Sequence, residues 1–166
     1  LRESLGKSIT EFMKEAFWNP IGAEYEGFWV VDSNDMELAF GGFNATARDY
    51  AKLGELYRLK GRLNDKQIVP EAWVVNSVTP DEPHLMPGIN PQSDNERGYG
   101  YQWWVPDLMS GDFMAVGVYN QFIYVSPKAK TVIVKLSANS LYGTSPEANI
   151  KSLRESVVFF KSVINN

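Results

Sequence analysis

Few residues in this chain can do chemistry, and three short stretches hold the types that a serine acyl-transfer centre uses. Such a centre places a serine one helical turn before a lysine that takes its proton. A Ser or Tyr followed two positions later by Asn stands opposite. A strand then offers a polar side chain and a backbone N–H to the oxyanion. Ser4-Leu5-Gly6-Lys7 matches the first pattern and Ser93-Asp94-Asn95 the second, while Lys130-Thr131-Val132 begins like the third but lacks its glycine. Each has a simpler explanation. Gly6 interrupts the first match, and the stronger helix cap, Ser8, comes after it. Ser93 falls in a polar loop, and Lys130 is read as a solvated turn residue ahead of an apolar strand. A fourth stretch, Gly117-Val118-Tyr119-Asn120-Gln121, sets polar groups at the mouth of two apolar strands, where a site rim commonly lies.

Composition narrows the chemistry further. The 166 residues contain no cysteine, so disulfides, thiol catalysis and thiolate metal sites are excluded. The single histidine, His84, excludes a His-rich metal site and makes a Ser-His triad a poor fit. Neither a metal nor a cofactor is expected. A net charge of -4 argues against a nucleic-acid partner. No run of about 18 apolar residues occurs, so no membrane span is expected. With 44% hydrophobic and 22% charged residues, the chain can bury a core of domain size.

The elements that would position these groups follow from periodicity and punctuation. Ser8 and Glu11 have the spacing of a capping box. Ile9, Phe12, Met13, Ala16 and Phe17 then form one apolar stripe, which Asn19-Pro20 stops. EGFWVVD (26–32) and ELAF (37–40) predict a hairpin, and Gly41-Gly42 breaks the pattern. Asn44 or Thr46 caps a helix over 47–60 that ends at Gly61 and carries Tyr50, Leu53 and Tyr57 on one face. Asp49 in its first turn is expected to be structural. Pro70 opens a short helix with Trp73, and residues 79–97 lack periodicity and predict a long surface loop. GYGYQWWV (98–105) predicts a strand, with Trp103 and Trp104 on opposite faces. Three more strands are expected over 112–118, 121–125 and 131–136. Ser145-Pro146-Glu147 starts a closing helix whose stripe is Ile150, Leu153, Val157, Phe160 and Ile164. The fold class is therefore α+β, with an antiparallel sheet covered by the C-terminal helix.

Five of these segments, in this order, carry a resemblance: FWNPIGAEYEGFWVVD, GGFNATARDYAKLGELYRLKG, IVPEAWV, GYGYQWWV and GVYNQFIYVSP. Together the chain resembles the C-terminal half of the serine β-lactamase-like superfamily, in the branch of class C β-lactamases, esterases and 6-aminohexanoate-dimer hydrolases. The resemblance implies part of a β-lactamase/transpeptidase-like fold. Residues 1–97 would belong to its helical subdomain, and 98–166 would supply the last strands and closing helix of its α/β subdomain. The S-x-x-K and Y-x-N elements would lie in an N-terminal portion ahead of Leu1. The third family motif maps onto 117–121. It makes the backbone N–H of Gln121 the first choice for the oxyanion donor, with Phe122 as the alternative. Tyr119, Asn120 and Asn44 are the implied substrate contacts, and Trp104 joins them from strand alternation, as the ring of the tryptophan pair that could line a pocket. Relatives often carry glycine where Asn120 stands.

Two functions are therefore expected of such a chain. The first is the C-terminal portion of a serine hydrolase that cleaves an amide or ester bond of a small molecule through an acyl-enzyme. The second is a non-catalytic binding module on the same scaffold.

Overall fold

The structure, a computed structural model, describes residues 2–93 and 95–165. Asp94, the centre of the Ser93-Asp94-Asn95 match, lies outside the described residues.

The chain opens with a short helix, α1 (Arg2–Leu5), that the sequence did not predict. Gly6, at φ 65°, ends it. The capping box forms as expected: Ser8 Oγ accepts from the Glu11 N–H at 3.1 Å, and Glu11 Oε2 accepts from the Ser8 N–H at 2.9 Å. The helix it starts, α2 (Ile9–Met13), widens into a π-helical turn over Lys14–Trp18. That turn shifts the side-chain register, so the predicted stripe splits. Met13 and Phe17 pack inward beside Trp18, while Phe12 and Ala16 face solvent.

The expected hairpin is paired differently. The strand partner of β1 (Phe28–Trp29) is β2 (Phe43–Asn44), beyond Gly41-Gly42, rather than ELAF. Only a single bridge, Val31 to Glu37, joins the segments named from the sequence. The chain from 37 to 42 loops back, and Gly42 allows this with φ 80° and no Cβ against Val30.

Thr46, not Asn44, caps α3 (Ala47–Arg58) by accepting from the Asp49 N–H at 3.1 Å. Lys60 and Gly61, both at positive φ, terminate it. A minimal ribbon, β3 (Arg62–Leu63) and β4 (Lys66–Gln67), leads to α4 (Glu71–Ser77). Residues 79–93 and 95–97 form the expected irregular connection, with a short 3-10 turn at Pro83–Leu85.

GYGYQWWV is not one strand. It folds on itself as β5 (Gly98–Tyr99) and β6 (Trp104–Val105), turning through Gln102 at φ 67°. The pair begins an antiparallel meander completed by β7 (Phe113–Gly117), β8 (Gln121–Ser126) and β9 (Thr131–Lys135), in the order β5-β6-β7-β8-β9. The last element, α5 (Pro146–Ile164), starts at the predicted cap, where Ser145 Oγ accepts from the Ala148 N–H.

Strand alternation sorts the core into two layers. Trp103, Phe113, Ile123 and Val125 face α3 and meet Tyr50, Leu53 and Tyr57. Met114, Phe122 and Tyr124 face α5 and meet Leu153, Val157, Phe160 and Ile164. β8, covered on both sides, is buried almost end to end, as its continuous apolar run requires. Ile150, the first member of the predicted stripe, is exposed instead. The other face of α3 buries Leu56 against Trp18 and Ile21 in a third cluster. The result is the expected α+β architecture: an antiparallel sheet with a C-terminal helix on one face.

Candidate functional site

The hairpin between β7 and β8 gathers four of the six residues named from the sequence. Gly117 pairs with Gln121, and Val118, Tyr119 and Asn120 form the connection. Tyr119 and Asn120 both sit in the left-handed region, at φ 63° and 61°. Asparagine tolerates that region, whereas tyrosine is uncommon there, and such outliers concentrate at functional sites.

The side chains at the tip point in different directions. Tyr119 is half exposed, its ring edge-on to Tyr142 with centroids 5.5 Å apart. Gln121 turns back on the hairpin, its amide donating to the Val118 carbonyl at 3.2 Å. Asn120 is 1% exposed and faces inward. Its Oδ1 accepts from Asn139 at 2.6 Å, and its Nδ2 donates to Asn149 at 2.7 Å. A side chain so engaged is not free to touch a substrate at the hairpin's outer edge. Phe122 is buried against Phe160, and its backbone pairs on both sides, with Val116 and with Lys135. Gln121 lies one position beyond that last β9 pair.

The two remaining candidates lie elsewhere. Asn44 belongs to the separate β1–β2 ribbon, is exposed, and donates to the Gly42 carbonyl at 2.9 Å. Trp104 is on the sheet face opposite Gln121. It packs into the layer beneath α5, with Tyr99 at 4.7 Å and the Arg97 guanidinium at 5.5 Å. Trp103 and Trp104 thus do point to opposite faces, but both rings are spent on packing.

One feature of the hairpin was not visible in the sequence. β6 meets β7 at Met114 alone, yet β7 runs on to Gly117. Past Met114, the side of β7 that β6 would cover has no strand partner among the described residues, and Gly117 and Val118 are exposed. An uncovered edge of this kind presents backbone N–H groups outward. The other side of the tip is closed by Asn139, Tyr142 and Asn149. No sequence pattern encodes where a neighbouring strand stops, so only pairing reveals this edge.

Among the described residues the serine motifs are not gathered into a centre. Ser4 is exposed, Gly6 breaks the turn that would bring Lys7 back to it, and Lys7 instead donates to Glu15 at 2.6 Å. Ser93 and Asn95 organise their own loop. Lys130 is an exposed turn residue at φ 53°. His84 is exposed on the 3-10 turn. Asp49 is structural: fully buried, it accepts from the Glu24 N–H at 2.7 Å, from the Tyr25 N–H and from the Thr46 hydroxyl. Burial alone would raise its carboxyl, but these donors and Lys52 hold it below the ordinary range. Among the described residues no group of three or more His, Asp or Glu is placed to hold a metal.

A cleft of about 460 Å³ opens between α2 and the β1–β2 ribbon, with Trp18, Tyr25, Trp29 and Phe43 on its walls. None of the six candidates lines it, although Phe43 is the neighbour of Asn44.

Comparison with known proteins places these features. A family model described as Beta-lactamase matches residues 1–157. Among curated proteins, the chain is 27% identical over 134 residues to a 6-aminohexanoate-dimer hydrolase of Paenarthrobacter ureafaciens, covering 80% of this chain and 34% of that protein. Among solved structures, it superposes with a TM-score of 0.77 on a Bacillus anthracis protein provisionally named a 6-aminohexanoate-dimer hydrolase. Identity there is 34%, over 97% of this chain and 40% of the other. A Bacteroides dorei DSM 17855 protein provisionally named a β-lactamase superposes with a TM-score of 0.57 at 16% identity, over 84% of this chain and 47% of the other, and shares the fold alone. The chain therefore spans about a third of the length of the curated relative it matches.

Proposed function

Because the chain belongs to the β-lactamase family, we propose that it is the C-terminal portion of a serine hydrolase that cleaves an amide or ester bond of a small molecule through an acyl-enzyme. The Ser, Lys and Tyr of the centre come from an N-terminal portion. Residues 1–97 complete the helical subdomain, and residues 98–166 close the α/β subdomain. The reaction opens as the serine hydroxyl, giving its proton to the lysine, attacks the substrate carbonyl. The carbonyl oxygen gathers negative charge, and the departing alcohol or amine takes a proton. Water then attacks the acyl-enzyme, releases the acid and restores the serine.

This chain's part is the oxyanion side. The observation that carries it is the β7–β8 hairpin, which places the motif stretch 117–121 at a sheet margin with one uncovered edge. Gln121 N–H is the donor named from the motif. Val118, exposed in the connection that follows β7, offers a competing backbone N–H. Tyr119 and Asn44 are the side chains still able to contact a substrate. A backbone donor contributes most when water is excluded and its position is fixed, and loss of one such donor costs about 10²- to 10³-fold in kcat.

Two surfaces support a partner portion. β9 is an outer strand of the sheet. Val158, Phe159 and Val163 project from α5 as exposed apolar groups.

A fluorophosphonate probe tests the reading. The complete protein, including the segment ahead of Leu1, becomes labelled on a serine of that segment. The isolated 166-residue chain stays unlabelled, and Ser4→Ala leaves labelling of the complete protein unchanged. Labelling of the isolated chain that Ser4→Ala abolishes would overturn the assignment. So would a complete protein that takes no label and hydrolyses no ester, which would leave the binding module.

A further inference from the structure

Three asparagines from three segments meet behind the hairpin tip. Asn120 belongs to the tip, Asn139 to the loop after β9, and Asn149 to the first turns of α5. Both polar atoms of the buried Asn120 side chain are used, one on each partner, at 2.6 and 2.7 Å. The partners are themselves fixed. Asn139 Oδ1 accepts from the Leu141 N–H at 3.0 Å, its carbonyl accepts from the Tyr142 N–H at 3.1 Å, and Tyr142 carries the ring that meets Tyr119. The Asn149 N–H donates to the Ser145 carbonyl at 3.0 Å, inside the capped start of α5.

The tip needs such a hold. Left-handed backbone at two successive non-glycine residues is sterically costly, and an unanchored tip would relax into other turn conformers. A buried amide with both atoms paired resists that relaxation, because every alternative conformer strands a polar group away from water.

We infer that Asn139 and Asn149 are positioning residues that act through Asn120 to clasp the 117–121 tip in one conformation, and so fix the backbone N–H that the hydrolase uses. They touch neither substrate nor reacting atoms. The inference rests on the proposed function for its catalytic consequence, but the clasp itself can be measured without catalysis. Displacement of a donor by about 1 Å costs on the order of 100-fold in rate, so a loosened tip lowers kcat while substrate binding elsewhere is kept.

The test uses the complete protein and the variants Asn149→Ala, Asn149→Asp and Asn139→Ala. Asn149→Asp keeps an acceptor for Asn120 and Asn149→Ala removes it. Hydrogen–deuterium exchange of a 117–122 peptide is expected to rise tenfold or more in the two alanine variants, with the rest of the sheet unchanged. It stays within threefold of wild type in Asn149→Asp. For an activated ester, kcat falls at least tenfold in the alanine variants with KM within threefold, and Asn149→Asp restores it. Unchanged tip exchange in both alanine variants overturns the clasp. Exchange that rises throughout the sheet overturns it too, since that is general destabilisation. Should Asn149→Ala not fold, Asn139→Ala decides. If the wild-type protein hydrolyses no ester, the proposed activity fails and tip exchange alone judges the clasp.

Discussion

Tyr124 donates its hydroxyl proton to Asp112 Oδ2 across 2.7 Å, and the two side chains are 0% and 2% exposed. The bond joins the middle of β8 to the residue just before β7, within the layer under α5. It makes the phenol part of the core and gives a buried carboxylate its partner.

Removing that hydroxyl leaves the carboxylate short of a donor it cannot replace with water. Tyr124→Phe is expected to cost about 1.5–3 kcal/mol, the range for a hydrogen bond to a charged group. Asp112→Asn keeps an acceptor and should cost less. Urea denaturation of the complete protein checks the ordering. Burial first, and the Asp112 bond second, push the Tyr124 hydroxyl above the ordinary phenol range. Its contribution is therefore complete below about pH 10 and falls as the pH rises further, because the unfolded chain then loses that proton more readily.

An ion pair gives an acid-side prediction. Lys161, near the end of α5, donates to Asp107 at 2.9 Å. Burial would raise the Asp107 carboxyl, but donors from Lys161 and Ser110 outweigh it and lower it to about 2. The folded value lies below the unfolded one, so the stabilisation is present above about pH 4 and is lost as the pH falls toward 2. Both side chains are more than a third exposed, so salt screens the pair and its worth is under about 1 kcal/mol. Lys161→Met should return the Asp107 titration, followed by carboxyl carbon NMR, toward the ordinary carboxylate range.

Gly54 in mid-α3 is a contact position. A Cβ there would lie 2.5 Å from Val132 Cγ1 and 3.0 Å from Ile123 Cγ2, on short β-branched side chains with little room to rotate. Gly54→Val is expected to destabilise by about 2–3 kcal/mol through overpacking. Gly54→Ala should cost less, because alanine recovers about 1 kcal/mol of helix propensity. Equal or higher denaturation midpoints for both variants would refute the close approach of α3 to the sheet.

Much of the fold could be read residue by residue. The Ser8–Glu11 box, the Ser145 cap, a strand over 131–136 that forms to Lys135, and most of the closing helix's stripe follow from local rules that need no partner, whereas the choice of Thr46 over Asn44 as the cap of α3 came from the structure. Errors fell where a long-range choice decided. Phe28–Trp29 could pair with either of two later segments and took Phe43–Asn44, because Gly42 lets the chain return past Val30. GYGYQWWV had enough apolar residues for one strand, but its turn at Gln102 gave each tryptophan a separate layer to fill.

The site divides along the same line. Residue types in sequence were enough to give each serine match a simpler explanation and to bring attention to 117–121. The direction of each side chain came only from tertiary structure. Asn120 looked like a rim residue until Asn139 and Asn149, 19 and 29 positions later, were seen to bury it. Trp104 looked like a pocket wall until α5 was placed over it. Capping and alternation are set by neighbours within a few residues. Burial depends on which surface the chain brings back from far along the sequence, and no local pattern records that.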